Sequence, residues 1–337
     1  MSFFRPVGLL TGAAATAAVE SGRARWLAGG PVAFLALERH DSAAGGPEPV
    51  AAALDAAPAG VLEALSAPRP PWAGFGFARP LLMGIVNVTP DSFSDGGRGP
   101  DAAIAHGRAL RAAGADILDV GGESTRPGAL PVAPAEELER VLPVIRALAA
   151  DGAVVSIDTR HADVMAASLA AGARIVNDVT ALEGEGSLAV VARARCPVVL
   201  MHHKGDFRSM QEQPAYRHVT LEVAEYLVGR LAACRAAGIA ADLVVLDPGI
   251  GFGKTVEHNL TLLRQLALLH GLGRPLLVGA SRKSFIGRLS RGEAAADRLG
   301  GSLAAALAAL GQGAQLLRVH DVAETAQACA LWTALQR

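Results

Sequence analysis

Apolar and polar positions fall into two rhythms along the chain. From residue 80 onward, short runs rich in Val, Ile and Leu occur at 82–88, 117–120, 154–157, 175–179, 198–201, 243–246, 276–278 and 316–319. Between them lie longer Ala/Leu-rich stretches with apolar positions at helical spacing, among them 102–113, 134–149, 216–237 and 256–269. Strands that are apolar throughout, each followed by a helix, predict a parallel sheet buried on both faces and joined by crossover helices. Eight such units across about 259 residues match the usual size of an α/β barrel, so the fold class is α/β and the expected architecture a (β/α)₈ TIM barrel. An open doubly wound sheet is the alternative.

The first 78 residues follow a different rhythm, rich in Ala, Gly and Pro. They are read as an N-terminal extension (1–78) of unknown role, followed by the barrel (79–337). Within the extension, two short strands are expected around Gly29-Gly30, a helix over 50–66, and a linker at Ala67-Pro-Arg-Pro-Pro-Trp. No catalytic chemistry is evident there.

Composition narrows the classes. Hydrophobic residues make up 51% of the 337, and the charges nearly cancel to a net of −1, so no charged surface calls for a nucleic-acid partner. The longest uncharged run, 299–317, is broken by Gly300, Gly301, Gly311, Gln312, Gly313 and Gln315, which suits a buried helix better than a membrane span. The three cysteines, Cys196, Cys234 and Cys329, form no Cys-x-x-Cys pair, so neither a disulfide framework nor a zinc knuckle is expected and a cytoplasmic setting is. The mildly apolar stretch 7–19 has only Arg5 before it and lacks the Leu-rich centre of a secretory signal.

The polar residues associated with the apolar runs are distinctive. Asn87, Asp119, Asp158, Asn177-Asp178, His202, Asp247, Ser281-Arg-Lys and Arg318 with His320 follow or fall within successive strands. In a barrel the carboxyl ends of all strands meet at one mouth, so these residues would line one cavity. Any single one is as easily read as a strand terminator or helix cap. Asp158 and Asp247 directly follow apolar runs, where an unpaired carboxylate is costly, so each needs a partner or a ligand.

Two long Gly-rich loops, Asn87-Val-Thr-Pro-Asp-Ser-Phe-Ser-Asp-Gly-Gly and Gly121-Gly-Glu-Ser-Thr-Arg-Pro-Gly, exceed what a simple βα turn needs and read as lids. Gly249-Ile-Gly-Phe-Gly-Lys-Thr is not a phosphate-binding P-loop, since Pro248 stands where the first Gly is required. It fails as a dinucleotide fingerprint too, with Lys254 in place of the third Gly. Ser281-Arg-Lys-Ser-Phe opens an expected helix, bringing a cation and unpaired N–H groups together as an anion site. His202, His203 and Asp206 could be considered as metal ligands, but adjacent histidines at a strand end point to opposite sides.

The loops and strand ends, with Ser156-Ile-Asp-Thr, Asn177-Asp, Leu200-Met-His, Asp247-Pro-Gly-Ile-Gly-Phe-Gly-Lys, Gly279-Ala-Ser-Arg-Lys-Ser and Arg318-Val-His-Asp, resemble in order the motifs of dihydropteroate synthases, over residues from about 81 to 328. The resemblance implies joining of 6-hydroxymethyl-7,8-dihydropterin pyrophosphate to p-aminobenzoate. It implies pterin contacts for Asp158, Asn177, Met201, Asp247 and Lys283. Pyrophosphate contacts are implied for Asn87, Arg318 and His320, with Asn87 holding Mg²⁺. The p-aminobenzoate site and lids would comprise Phe93, Asp95, Thr125, Arg126, Pro127, Phe252 and Ser284, and the catalytic set Asn87, Asp158, Asp247, Lys283, Arg318 and His320. Sulfonamide inhibition and a homodimer are further implications. The fifth loop departs from the family, which commonly has an amide or apolar residue where His203 stands. A related pterin-binding methyltransferase, or a non-catalytic pterin-binding paralogue, are the rival readings.

Overall fold

The computed structural model describes residues 1–41, 50–52, 54, 57–88, 99–123, 131–205 and 210–336. The lid residues Phe93, Asp95, Thr125, Arg126 and Pro127 lie outside the described residues.

The extension opens with β1 (Ser2–Leu10), α1 (Gly12–Glu20), β2 (Arg25–Trp26), β3 (Ala33–Asp41), β4 (Val50–Ala52) and α2 (Ala59–Ser66). The turn around Gly29-Gly30 joins two strands as expected, but the expected helix over 50–66 is corrected: a strand at its start pairs with β3, and only the last turns are helical. β1 was not foreseen. It pairs antiparallel with β3 along nearly its whole length, and in that register Arg5 faces Glu38, which its guanidinium grips at 2.5 Å.

The catalytic unit alternates strand and helix: β5 (Leu81–Asn87), α3 (Pro100–Ala112), β6 (Ile117–Gly121), α4 (Pro134–Ala150), β7 (Val155–Asp158), α5 (Ala162–Ala170), β8 (Ile175–Asp178), α6 (Ser187–Ala194), β9 (Val198–Met201), α7 (Val219–Ala236), β10 (Val244–Asp247), α8 (Val256–Arg264), β11 (Leu277–Val278), α9 (Ser284–Leu289), α10 (Leu299–Gly311), β12 (Leu316–Val319) and α11 (Val322–Ala334). The strands are ordered β10-β9-β8-β7-β6-β5-β12-β11 and every pair is parallel. A parallel bridge from Leu246 to Leu276 joins the two ends. The sheet is a barrel, and the open doubly wound alternative is excluded.

Helix starts follow from local chemistry. Pro at the first helical position opens α3 and α4 with acidic residues in the first turn, where the missing N–H costs nothing and the helix dipole favours negative charge. Thr255 and His258 form a reciprocal capping box at the start of α8. The expected helix over 256–269 ends early at Arg264 and tightens into a 3₁₀ turn over Leu266–Leu272, whose first five residues are buried.

Side-chain alternation divides the strands into two cores. Leu82, Val86, Leu118, Val120, Ile157, Val176, Leu200, Leu246 and Leu317 face outward into the helix layer. Leu81, Met83, Ile117, Ile175, Val199, Val245, Leu277 and Leu316 face inward and pack together as the barrel floor. Trp72 joins that floor fully buried, with its indole N–H donating to the Leu243 carbonyl at 2.8 Å. The expected linker is thus a plug. Its Arg69 is also buried and donates to the carbonyls of Ala64 and His270.

Candidate active site

The period of two that builds the floor also builds the site. Two residues beyond an inward-facing apolar position, the next inward position lies nearer the carboxyl end of the strand. Ile85 leads to Asn87, Ile117 to Asp119, Ile175 to Asn177, Val199 to Met201, Val245 to Asp247 and Leu316 to Arg318. Ser156 leads in the same way to Asp158. The expected polar residues therefore meet above the floor.

Arg318 is the hub. Its Nε donates to Asp119 Oδ2 at 2.6 Å and its terminal nitrogen to Asp158 Oδ2 at 2.5 Å, while Asn177 Nδ2 donates to the same Asp119 oxygen at 3.0 Å. Burial works against the guanidinium's charge, but Asp119 and Asp158 outweigh it and hold Arg318 firmly protonated. Burial pushes Asp158 above the ordinary carboxylate range, with Arg318 pulling the other way and Asp119 and Asp178 adding to the rise. Asp119 was expected at the mouth but was given no substrate or catalytic role. The signal was available, since Asp119 shares the parity of buried Ile117, and Asp119 Oδ1 is buried with no partner among the described residues.

Asp247 is buried and accepts the Gly249 N–H at 2.7 Å through Oδ1. Burial raises its pKa to about 6, opposed by that N–H and by Lys283, Arg318 and Lys254. Lys283 lies with its ammonium 3.9 Å from the centre of the Phe252 ring, a cation–π contact that joins the sixth and seventh loops. Met201 is buried at the end of β9, and Asn87 is half-buried at the end of β5. Ser284 begins α9 and is exposed.

His320 differs from the cation that a pyrophosphate site suggests. Burial, reinforced by Arg318, lowers its pKa to about 3, so it is neutral. Its backbone N–H donates to Ser281 Oγ at 3.2 Å, and Ser281 Oγ lies 3.0 Å from His320 Nδ1. The Ser281 hydroxyl can donate to Nδ1 or accept from it, and it donates where the ring carries its proton on Nε2. Arg282 is turned away from the site and paired with Asp321 through Nε at 3.0 Å.

Asp178, next to Asn177, shapes the loop rather than the site: it accepts the Thr180 N–H and hydroxyl at 2.7 Å and the Leu182 N–H at 2.9 Å. Glu123 at the base of the second lid takes Arg160 at 2.9 and 3.0 Å and the Val132 N–H at 3.0 Å. A cavity of about 600 Å³ lies beside it, lined by Arg160, His161, Glu183 and His203 among others.

The family described as pterin binding enzyme matches residues 83–320. A dihydropteroate synthase of Neisseria meningitidis serogroup C is 51% identical over 266 residues, spanning 77% of this chain and 94% of that protein. The solved structure of Xanthomonas albilineans dihydropteroate synthase with 4-aminobenzoic acid is 50% identical, superposes with a TM-score of 0.75, and covers 78% of this chain and 96% of its own. That of the Yersinia pestis enzyme with a sulfonamide drug complex is 45% identical, with a TM-score of 0.75 over 77% of this chain and 95% of its own.

Proposed function

The chain belongs to the pterin binding enzyme family and condenses a pterin pyrophosphate with p-aminobenzoate to dihydropteroate and pyrophosphate, as dihydropteroate synthases do, and from that premise we propose how its residues divide the work. Asp247 anchors the pterin. The amino-pyrimidinone edge presents neighbouring N–H donors, and Asp247 Oδ2 can accept them while Oδ1 is held by Gly249. Asn177 gives one N–H to Asp119, which leaves its amide oxygen to accept from the ligand, and Asp158 with Lys283 completes the pterin's polar edge. Met201 supplies an apolar wall.

The observation that carries this reading is the Asp119–Arg318–Asp158 bridge at the mouth. It fixes a guanidinium that stays charged and partly committed, so its remaining N–H groups face the departing pyrophosphate in one orientation. His320 contributes a neutral Nε2–H donor beside it. The methylene C–O bond breaks to release pyrophosphate, the resulting pterin cation is stabilised by resonance, the arylamine nitrogen forms the new C–N bond, and its proton leaves to solvent. Electrostatic stabilisation of the departing charge matters more here than a strong base.

The residues present fit Mg²⁺. Among the described residues no three His, Cys, Asp or Glu side chains gather as a metal cage. Asn87 offers one hard amide oxygen at the mouth, so Asn87 is the residue that would hold a Mg²⁺. When bound it would neutralise charge on the leaving group.

The p-aminobenzoate ring would lie against Phe252 with Ser284 near its carboxylate, and the family resemblance gives Phe93, Thr125, Pro127 and an Asp95–Arg126 pair, all outside the described residues, the closing role. Sulfonamides, as bound by the Yersinia pestis enzyme, would compete at this position. A cytoplasmic homodimer completes the reading; three buried, unpaired thiols are consistent with a reducing compartment. Among the described residues no helix is long and apolar enough to cross a membrane. Arg318→Ala is the direct test of the leaving-group assignment: pyrophosphate release that depends on p-aminobenzoate should fall by about 100-fold or more. Release at the wild-type rate would remove Arg318 from the leaving-group site.

A further inference from the structure

Against the Asp247–Gly249 turn lies a buried lysine that the proposed mechanism does not use. Lys254 is 2% exposed, although nothing in the transfer reaction requires it to touch substrate. Its Nζ is 2.9 Å from His202 Nδ1, 3.0 Å from the Phe252 carbonyl and 3.4 Å from the His202 carbonyl. These are three acceptors for the three N–H donors of an ammonium, provided that His202 carries its proton on Nε2. His202 is neutral, its pKa lowered to about 2 by burial and by Lys254, and its ring is boxed in by Tyr226 at 5.0 Å and Tyr216 at 6.2 Å between centroids.

The cage sits where two loops touch backbone to backbone. Gly249 has a φ of +69°, and a Cβ there would collide with the His202 carbonyl oxygen and come within 3.3 Å of Lys254 Nζ. The Asp247 carboxylate is tied to the same glycine through its N–H. The lysine, the glycine and the pterin anchor therefore form one buried unit. Lys283 and Arg318 also face Asp247, and Asp119 and Asp158 are paired with Arg318 across the mouth. Burial drives the Lys254 pKa well down, Asp247 raises it, and Lys283 and Lys204 lower it further; His202 and His258 are the other titratable groups beside it.

We propose that Lys254 is a positioning residue that acts through Asp247: held as an ammonium by its three acceptors and by the nearby carboxylate, it keeps the pterin-anchoring carboxylate ionised at neutral pH while clamping the fifth loop to the sixth. A buried carboxylate alone would take up a proton and lose the acceptor pair that a pterin edge needs. A desolvated cation beside it opposes that uptake, and its lone contact with substrate chemistry is electrostatic. The proposal rests on the pterin reading above and adds the charge that makes it work at physiological pH.

The test is the pH dependence of 6-hydroxymethylpterin binding, followed by the ligand's fluorescence from pH 5 to 8, for the full-length protein and the variants Lys254→Met and Lys254→Gln. Gln keeps a hydrogen-bond donor in the cage without the charge, so it serves even if the Met variant does not fold. With the cation gone, the acid limb of binding should move up by about one pH unit. Affinity should then be about tenfold below wild type at pH 5 and within about twofold of it at pH 8. An uncharged Lys254, or one that only packs, predicts curves parallel to wild type at every pH, or full rescue by Gln, and either result overturns the proposal. Wild-type protein that fails to bind the pterin at all would overturn the pterin reading itself.

Discussion

Arg318 reaches Asp119 and Asp158 at once, and removing either acid leaves a buried guanidinium short of a partner. Breaking one side of such a buried pair costs about 3–5 kcal/mol in general. Asp119→Ala should therefore lower unfolding stability by roughly that amount in a denaturant titration, with Asp119→Asn costing less because its amide oxygen still accepts from Arg318. Asp247 behaves in the opposite sense. Burial lifts its pKa to about 6, so the folded protein favours the protonated form, and the charged form costs stability as pH rises through that value. Asp247→Asn is predicted to leave the ligand-free melting temperature at pH 8 unchanged or higher while pterin affinity drops more than about tenfold, a loss above ~1.4 kcal/mol. Differential scanning calorimetry beside ligand titration would separate the two effects. At this scale much of the site was legible in the sequence, because a carboxylate ending an apolar run is conspicuous. Asp119 was placed at the mouth, but its pairing with Arg318, 199 positions away, was not visible, and the neutral state of His320 comes from burial beside Arg318, which no local pattern reveals.

The strands were legible nearly to the residue, since continuous apolar runs of three to seven residues, repeated eight times, have few other uses. Loops were not. The fifth and sixth loops are fitted to each other: Tyr216 Oη donates to the Gly253 carbonyl at 2.9 Å and Gln211 donates to the Gly251 carbonyl. The departure from the family motif at His203-Lys204 falls in this contact, and a Cβ at Gly253 would meet the Lys204 carbonyl oxygen. Gly249→Ala combines a left-handed backbone with a collision, and a stability loss of more than about 2 kcal/mol is expected, read as a lower melting temperature. Pterin affinity should fall with it, because relieving the collision displaces the backbone N–H that orients Asp247. The end of α8 shows the same limit. Its Leu-rich continuation reads as helix, yet the chain tightens to 3₁₀ there, where Ala267 packs with Phe34, Leu37 and Leu65 of the extension.

Across the whole molecule the extension makes two contacts with consequences. His40 at the end of β3 lies edge-on to His218, with 5.7 Å between ring centroids, and His218 caps α7, the helix that follows the fifth loop. At the other end of the barrel Trp72 fills the floor. Neither was legible, because a Trp after a Pro-rich stretch looks like linker until the barrel end that it fills is known. Trp72→Ala should cost about 3–5 kcal/mol of stability by leaving a cavity. At temperatures well below unfolding, kcat/KM should stay within about twofold, since the inward-facing apolar floor that Trp72 packs against lies between it and the mouth. The central claim, that the mouth residues bind a pterin and release its pyrophosphate, is tested most directly by steady-state formation of dihydropteroate from the pterin pyrophosphate and p-aminobenzoate, comparing wild type with Asp247→Asn. The predicted result is equal amounts of dihydropteroate and pyrophosphate from wild type and a kcat/KM lower by about 100-fold or more in the variant. Absence of product from the wild type, or a variant within about tenfold of it, would contradict the account.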